Sequence, residues 1–146
     1  MTNEQNTVLI TGCFDILHVG HIELLKFARK EFTQHIYDRK IKPFVVVGID
    51  SDEKVKKDKG NDRPYNNQED RRYMLESLKY VDDVFVFFDD EHLKDYLKMY
   101  KPDVRICGSD WKGKKIVGAE FCKSIVFFDR IPGHSTTNIL QGIKKK

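Results

Sequence analysis

Long apolar runs are missing from this sequence. No stretch approaches the roughly 20 consecutive apolar residues that a membrane-spanning helix needs, so no membrane span is expected. Residues 1–7 are polar, which argues against a secretory leader and for a cytoplasmic setting. Cysteine is scarce: Cys13, Cys107 and Cys122 are odd in number and match no zinc or disulfide spacing, so reduced thiols are expected. Charge of one sign is not in excess, with 26 Lys and Arg against 23 Asp and Glu and a net charge of +3. Short lysine runs occur at 54–59, 112–115 and 144–146, but none is long and interleaved with aromatics, which disfavours a nucleic-acid partner. Repeats and low-complexity tracts are also lacking. What remains is a chain of 146 residues, 40% hydrophobic and 34% charged, long enough for one domain spanning 1–146 with a real core.

Five short, nearly continuous runs rich in β-branched residues lie at 8–11, 43–49, 84–88, 104–107 and 124–128. Continuous rather than alternating runs fit strands buried on both faces of a parallel sheet. Helical spacing of apolar residues falls between and after them, at 21–30, 68–80, 91–100 and 135–143. This alternation predicts an α/β, Rossmann-like domain: a five-stranded parallel sheet with helices on both faces. Pro102 is expected to end the helix before the fourth run. Residues 31–42 read as a helix extension plus a loop, and the lysine-rich 52–67 as a long mobile loop of the kind that covers a ligand.

In such sheets ligands sit beyond the C-terminal strand ends, where strand order reverses. Three informative segments follow strands and meet there if the first and fourth strands are neighbours. The first is Gly12-Cys13-Phe14-Asp15-Ile16-Leu17-His18-Val19-Gly20-His21. Two imidazoles three residues apart share a helix face, Gly20 permits close approach, and a helix N-terminus already favours anions. A zinc reading of the pair lacks its third and fourth ligands. Cys13 suits a tight turn better than a nucleophile. The second segment is Gly108-Ser109-Asp110-Trp111, whose single tryptophan suits core filling as well as the wall of a base or sugar pocket. The third runs from Arg130 through Ser135, Thr136 and Thr137, whose hydroxyls at a helix start suit a second anion cradle as well as a plain cap. Arg71 and Arg72 open a helix, where a guanidinium can meet phosphate or form a surface ion pair.

Together these motifs resemble the H-x-G-H nucleotidylyltransferase superfamily and its cytidylyltransferase-like family, over residues 8–143. The resemblance is carried by the 12–21 segment, Glu69-Asp70-Arg71-Arg72, Tyr80-Val81-Asp82, the 108–111 segment and the 130–137 segment. It implies a reaction in which an NTP and a phosphorylated alcohol or sugar give an NDP-linked product and pyrophosphate. It implies catalytic roles for His18, His21, Arg130 and a loop lysine, Lys57 or its neighbour Lys56. Nucleotide contacts are implied for Gly12, Cys13, Phe14, Asp15, Gly20, Arg71, Gly108, Asp110, Trp111, Ser135, Thr136 and Thr137. Mg²⁺ accompanying the NTP is expected as cofactor, with no dedicated metal site, and relatives of this kind suggest a homodimer.

Two subfamilies compete for the acceptor. Gly108-Ser109-Asp110-Trp111 and Arg130 resemble glycerol-3-phosphate cytidylyltransferases, the first expectation. Lys59-Gly60, Arg63-Pro64, residues 116–121 and the T-T-N-I ending resemble heptose 1-phosphate adenylyltransferases, the alternative. A non-catalytic nucleotide-binding module and an adenylyltransferase acting on flavin mononucleotide or phosphopantetheine are weaker readings. The acceptor's own phosphate is already a nucleophile, so catalysis should rest on positioning and charge neutralisation.

Overall fold

The computed structural model of the chain describes residues 5–132 and 135–145. The described residues form seven strands and five helices, beginning with β1 (Thr7–Gly12) and α1 (Val19–Glu31). A small hairpin, β2 (Gln34–Ile36) and β3 (Arg39–Ile41), leads into β4 (Phe44–Asp50). There follow α2 (Asp52–Lys59), α3 (Gln68–Glu76), β5 (Asp83–Phe87) and α4 (Asp90–Tyr100). The chain continues through β6 (Val104–Gly108), two short 3₁₀ turns, β7 (Ser124–Phe128) and α5 (Thr136–Lys145).

Five strands form one parallel sheet in the order β5-β4-β1-β6-β7. All five continuous runs became strands of that sheet, because burial on both faces leaves no position that must be polar. Val8, Leu9 and Ile10 of the central β1 are at most 1% exposed. Val8, Ile10, Val45 and Val47 point to one face and pack with Leu25 and Ala28 of α1 and Leu75 of α3. Leu9 and Val46 point to the other and pack with Phe85, Phe87 and Leu93 and Leu97 of α4. The first and fourth sheet strands are neighbours, with Val8 opposite Val104 and Ile10 opposite Ile106. Strand order reverses between β1 and β6, so the crevice for a ligand opens beyond Gly12 and Gly108.

Two segments differ from expectation. Residues 31–42 form the end of α1 and an antiparallel hairpin with Gln34 opposite Ile41 and Ile36 opposite Arg39, rather than a helix extension and loop. Its turn is made by Tyr37 and Asp38, with Tyr37 at φ 55°. The lysine-rich 52–67 segment is not one long loop either. Ser51 accepts from the Lys54 amide at 3.1 Å, Asp52 and Glu53 fill the first turn, and basic residues fill the last. Those charges complement the helix dipole and stabilise α2 although Val55 is its one buried residue. Helix α3 also ends earlier than expected, at Glu76, where Ser77 closes the last turn. The helix before Pro102 ends as expected, at Tyr100, with Lys101 capping it at φ 49°. Among the described residues no helix is long and apolar enough to cross a membrane.

Candidate active site

The turn between β1 and α1 is held in an unusual shape. Phe14 and Ile16 both adopt left-handed backbone, at φ 53° and 48°, which costs a non-glycine residue free energy unless its surroundings enforce it. The enforcement comes from between them. Asp15 is 1% exposed, and its carboxylate accepts from the Tyr65 amide at 2.6 Å and the Asn66 amide at 2.9 Å. The Phe14 ring folds into the core, over Gly12, where a Cβ would lie 2.9 Å from Phe14 Cε2. Gly12 is therefore needed for close packing inside the turn.

Arg71 completes the brace. Its side chain is fully buried and its donors are engaged: Nε with the Asn66 carbonyl at 3.0 Å, Nη1 with the carbonyls of Cys13 and Asp50 at 2.9 Å, and Nη2 with Asp52 at 2.8 Å. The expected phosphate contact is thus replaced by a structural one: this arginine ties the β1–α1 turn to the ends of β4 and the 60–67 segment. Gly12, Cys13, Phe14 and Asp15 shape the turn from behind and do not line the main crevice. Burial pushes the Cys13 thiol up, which keeps it protonated at neutral pH and suits a filler, not a nucleophile.

The histidines stand where this turn enters α1. His18 occupies the N-cap, and its backbone N–H donates to His21 Nδ1 at 3.3 Å. The two rings stack with centroids 3.8 Å apart, and Phe14 packs on His21 at 5.0 Å. Burial, with His18 adding to it, pushes His21 down from 6.5 to about 4. His21 is therefore neutral at pH 7. Because Nδ1 accepts, its proton sits on Nε2, which makes this ring a hydrogen-bond donor rather than a cation.

The crevice has a volume of about 340 Å³. His18, Gly20 and His21 form one wall; Gly108, Asp110, Trp111, Arg130 and Ser135 form the other. Gly108 lies under Asp110, with a Cβ position 2.7 Å from the carboxylate. Arg130 pairs with Asp110 at 3.3 Å while remaining 77% exposed, so it can exchange that partner for an anion at little cost. The hydroxyls of Thr136 and Thr137, and residues Gly133 and His134, lie outside the described side chains; the backbone of Thr136 starts α5.

The loop lysine expected at the site is neither Lys57 nor Lys56. Lys56 and Lys57 are exposed and do not line it, because the phase of α2 turns them outward. Lys59, at the end of that helix, and Arg63, beyond Gly60, do line it. Their signal was present in the Lys59-Gly60 and Arg63-Pro64 pairs, read only as marks of subfamily.

A histidine-bearing, basic crevice at the switch point of a parallel sheet is suited to hold the phosphates of a nucleotide in an α/β fold. The sequence profile described as cytidylyltransferase-like matches residues 9–140, and the chain belongs to that family. It is 44% identical over 140 residues, 96% of its length, to "Bifunctional protein HldE" of Campylobacter fetus subsp. fetus, and 41% identical over 140 residues to the protein of the same name from Sulfurimonas denitrificans. The chain spans only 28% and 27% of those relatives. Among solved structures it resembles the lipopolysaccharide core biosynthesis protein from Thermoplasma volcanium GSS1, with 25% identity and a TM-score of 0.66, covering 86% of this chain and 98% of that one.

Proposed function

We propose that this chain transfers the adenylyl group of ATP to heptose 1-phosphate, giving ADP-heptose and pyrophosphate. The observation that carries this choice of acceptor is identity of 36% to 44% with proteins named HldE across nearly the whole chain. That weight moves the reading from glycerol-3-phosphate cytidylyltransferase, the first expectation, to the heptose alternative. The placement of Lys59 and Arg63 at the crevice adds to it, since both belong to the heptose-type motifs.

The chemistry is an in-line displacement. An oxygen of the acceptor phosphate forms a bond to the α-phosphorus, and the bond from that phosphorus to the bridging oxygen breaks as pyrophosphate departs. In this reading His18 and the Nε2–H of His21 donate to phosphate oxygens where charge grows, and Lys59, Arg63 and Arg130 neutralise the leaving pyrophosphate. No proton needs to be removed from the nucleophile, so a His21 that stays neutral is suited to its task.

Magnesium fits this site as part of the substrate. Among the described residues no group of three or more His, Cys, Asp or Glu is arranged to hold a metal ion, and Asp15 is turned onto the Tyr65 and Asn66 amides. Mg²⁺ would arrive bound to ATP phosphates, which is its common mode in such sites.

The test is pyrophosphate release from ATP and CTP, each with heptose 1-phosphate and glycerol 3-phosphate. ATP with heptose 1-phosphate should give the highest kcat/KM. A preference for CTP with glycerol 3-phosphate would restore the first expectation, and no release from any pair would reduce the chain to a binding module.

A further inference from the structure

A second cavity, of about 360 Å³, opens on the opposite face of the β1–β6 junction. Thr11, Ile106, Cys107, Gly108 and Trp111 wall both it and the crevice, so the two meet at the ends of β1 and β6. Lining this second space is Arg105, which is 5% exposed. Its direction follows from strand alternation: Val104 and Ile106 face the α1 layer, so Arg105 faces the α4 layer.

Arg105 is a buried cation whose donors are only partly used. Its Nη1 donates to the Val117 carbonyl and its Nη2 to Thr11 Oγ1 at 3.3 Å, while its buried Nε has no hydrogen-bond partner. The Cys122 thiol also lies within hydrogen-bond reach of the guanidinium, so the donor left over is Nε. No ion pair joins it to a carboxylate among the described residues. A guanidinium desolvated without a counter-ion is costly, so one found lining a cavity points to an anion that arrives from solution. Arg71, equally buried, shows the contrast by keeping Asp52 at 2.8 Å.

The rim of the cavity has the opposite character. Asp50, Asp58 and Asp90 stand there, together with Lys54, which pairs with Asp58 at 2.8 Å and with Asp50 at 3.5 Å, leaving an excess of carboxylates. A cation inside and carboxylates at the mouth suit a molecule with an anionic end and a hydroxylated body. Thr11 joins Arg105 to the crevice, so an anion held at Arg105 lies beside whatever occupies the crevice.

We infer that this cavity seats the phosphorylated sugar acceptor, with Arg105 holding its phosphate and Asp50 and Asp90 accepting from its hydroxyls. The inference rests on the nucleotidyl transfer proposed above and assigns its two substrates to opposite faces of the sheet. Arg105 and Asp90 then decide acceptor affinity without touching ATP.

The experiment combines pyrophosphate-release kinetics with ³¹P NMR titration of heptose 1-phosphate, on wild type, Arg105→Leu, Arg105→Lys and Asp90→Asn. In Arg105→Leu the KM for heptose 1-phosphate should rise roughly tenfold or more while the KM for ATP stays within about twofold, as expected for loss of a charge-assisted contact to one substrate. Arg105→Lys should recover part of that loss, keeping the charge without the fork. Asp90→Asn changes an exposed side chain and tests the rim even if the leucine variant does not fold; a rise of about threefold in the same KM is expected. An ATP KM that climbs together with the sugar's in Arg105→Leu, or an acceptor KM unmoved in both Arg105→Leu and Asp90→Asn, would overturn the assignment. If wild type releases no pyrophosphate yet binds heptose 1-phosphate in an Arg105-dependent way, the proposed reaction fails and the cavity's role stands. Wild-type binding that is absent, or indifferent to Arg105, overturns the cavity's role directly.

Discussion

Arg71 and Arg130 bear the same side chain and were drawn to the same task by sequence, yet the fold gives them opposite ones. Arg71 has a side chain with no exposure and a partner for each of its nitrogens, whereas Arg130 is 77% exposed and holds a single carboxylate at 3.3 Å. A buried guanidinium whose every nitrogen already meets a carbonyl or carboxylate has little to offer a ligand. One with a single weak, solvated partner has nearly everything. The lesson extends to the two walls of the crevice. The α1 wall is rigid because Asp15 and Arg71 fix it from behind; the wall of Asp110, Trp111 and Arg130 is open to solvent and adjustable.

The comparison is most severely tested by Arg71→Ala. Removing a fully buried guanidinium with its hydrogen bonds to three carbonyls and to Asp52 should cost about 3–5 kcal/mol, read as a shift of the urea midpoint, and activity should vanish with the fold rather than separately. Retained stability with lost ATP affinity would make Arg71 a ligand residue after all.

His21 tests the rigid wall by pH. Its folded value of about 4 lies below the ordinary 6.5, so the unfolded chain takes up the proton first as pH falls. Stability should be independent of this group above pH 6.5 and should decline between 6.5 and 4, by at most about 3 kcal/mol. Denaturant titrations across that range should show a smaller decline in His21→Asn; an equal decline would place the cause elsewhere.

His18→Ala should lower kcat by roughly 100-fold, the scale of losing one donor to developing charge, with the urea midpoint little changed. Turnover at the wild-type rate would remove His18 from the chemistry. The smallest effect belongs to the open wall. Arg130→Ala should raise the KM for ATP about tenfold and leave stability within about 0.5 kcal/mol.

Most of the sheet was legible in the sequence because a doubly covered parallel strand needs an unbroken apolar run, as at 44–50, and little else in the chain has one. Helix α2 was not, because its stability comes from caps and charge order at Ser51, Asp52 and Glu53, with only Val55 to mark an apolar face. The same omission displaced the lysine assignment: without the helix, the phase that turns Lys57 outward and brings Lys59 to the crevice was invisible. The hairpin at 34–41 was hidden by its turn, which uses Tyr37 at positive φ in place of the usual Asn or Gly. Arg71 was misassigned because sequence shows what a side chain can bind and not which carbonyls reach it first. Arg105 was overlooked for the complementary reason: a charge within an apolar strand reads as noise until the cavity it faces is seen.

The Asp15 clamp also bears on the order in which the molecule can be made. The turn that presents His18 and His21 takes its shape from the amides of Tyr65 and Asn66 and the donors of Arg71, about fifty residues downstream. Its strand, β1, gains its second neighbour only at Val104. During synthesis from the N-terminus the histidines therefore emerge early on a turn that nothing yet holds, and they reach their working geometry only after much of the sheet has left the ribosome. A truncated product ending before Arg71 would carry the complete histidine motif without the means to shape it.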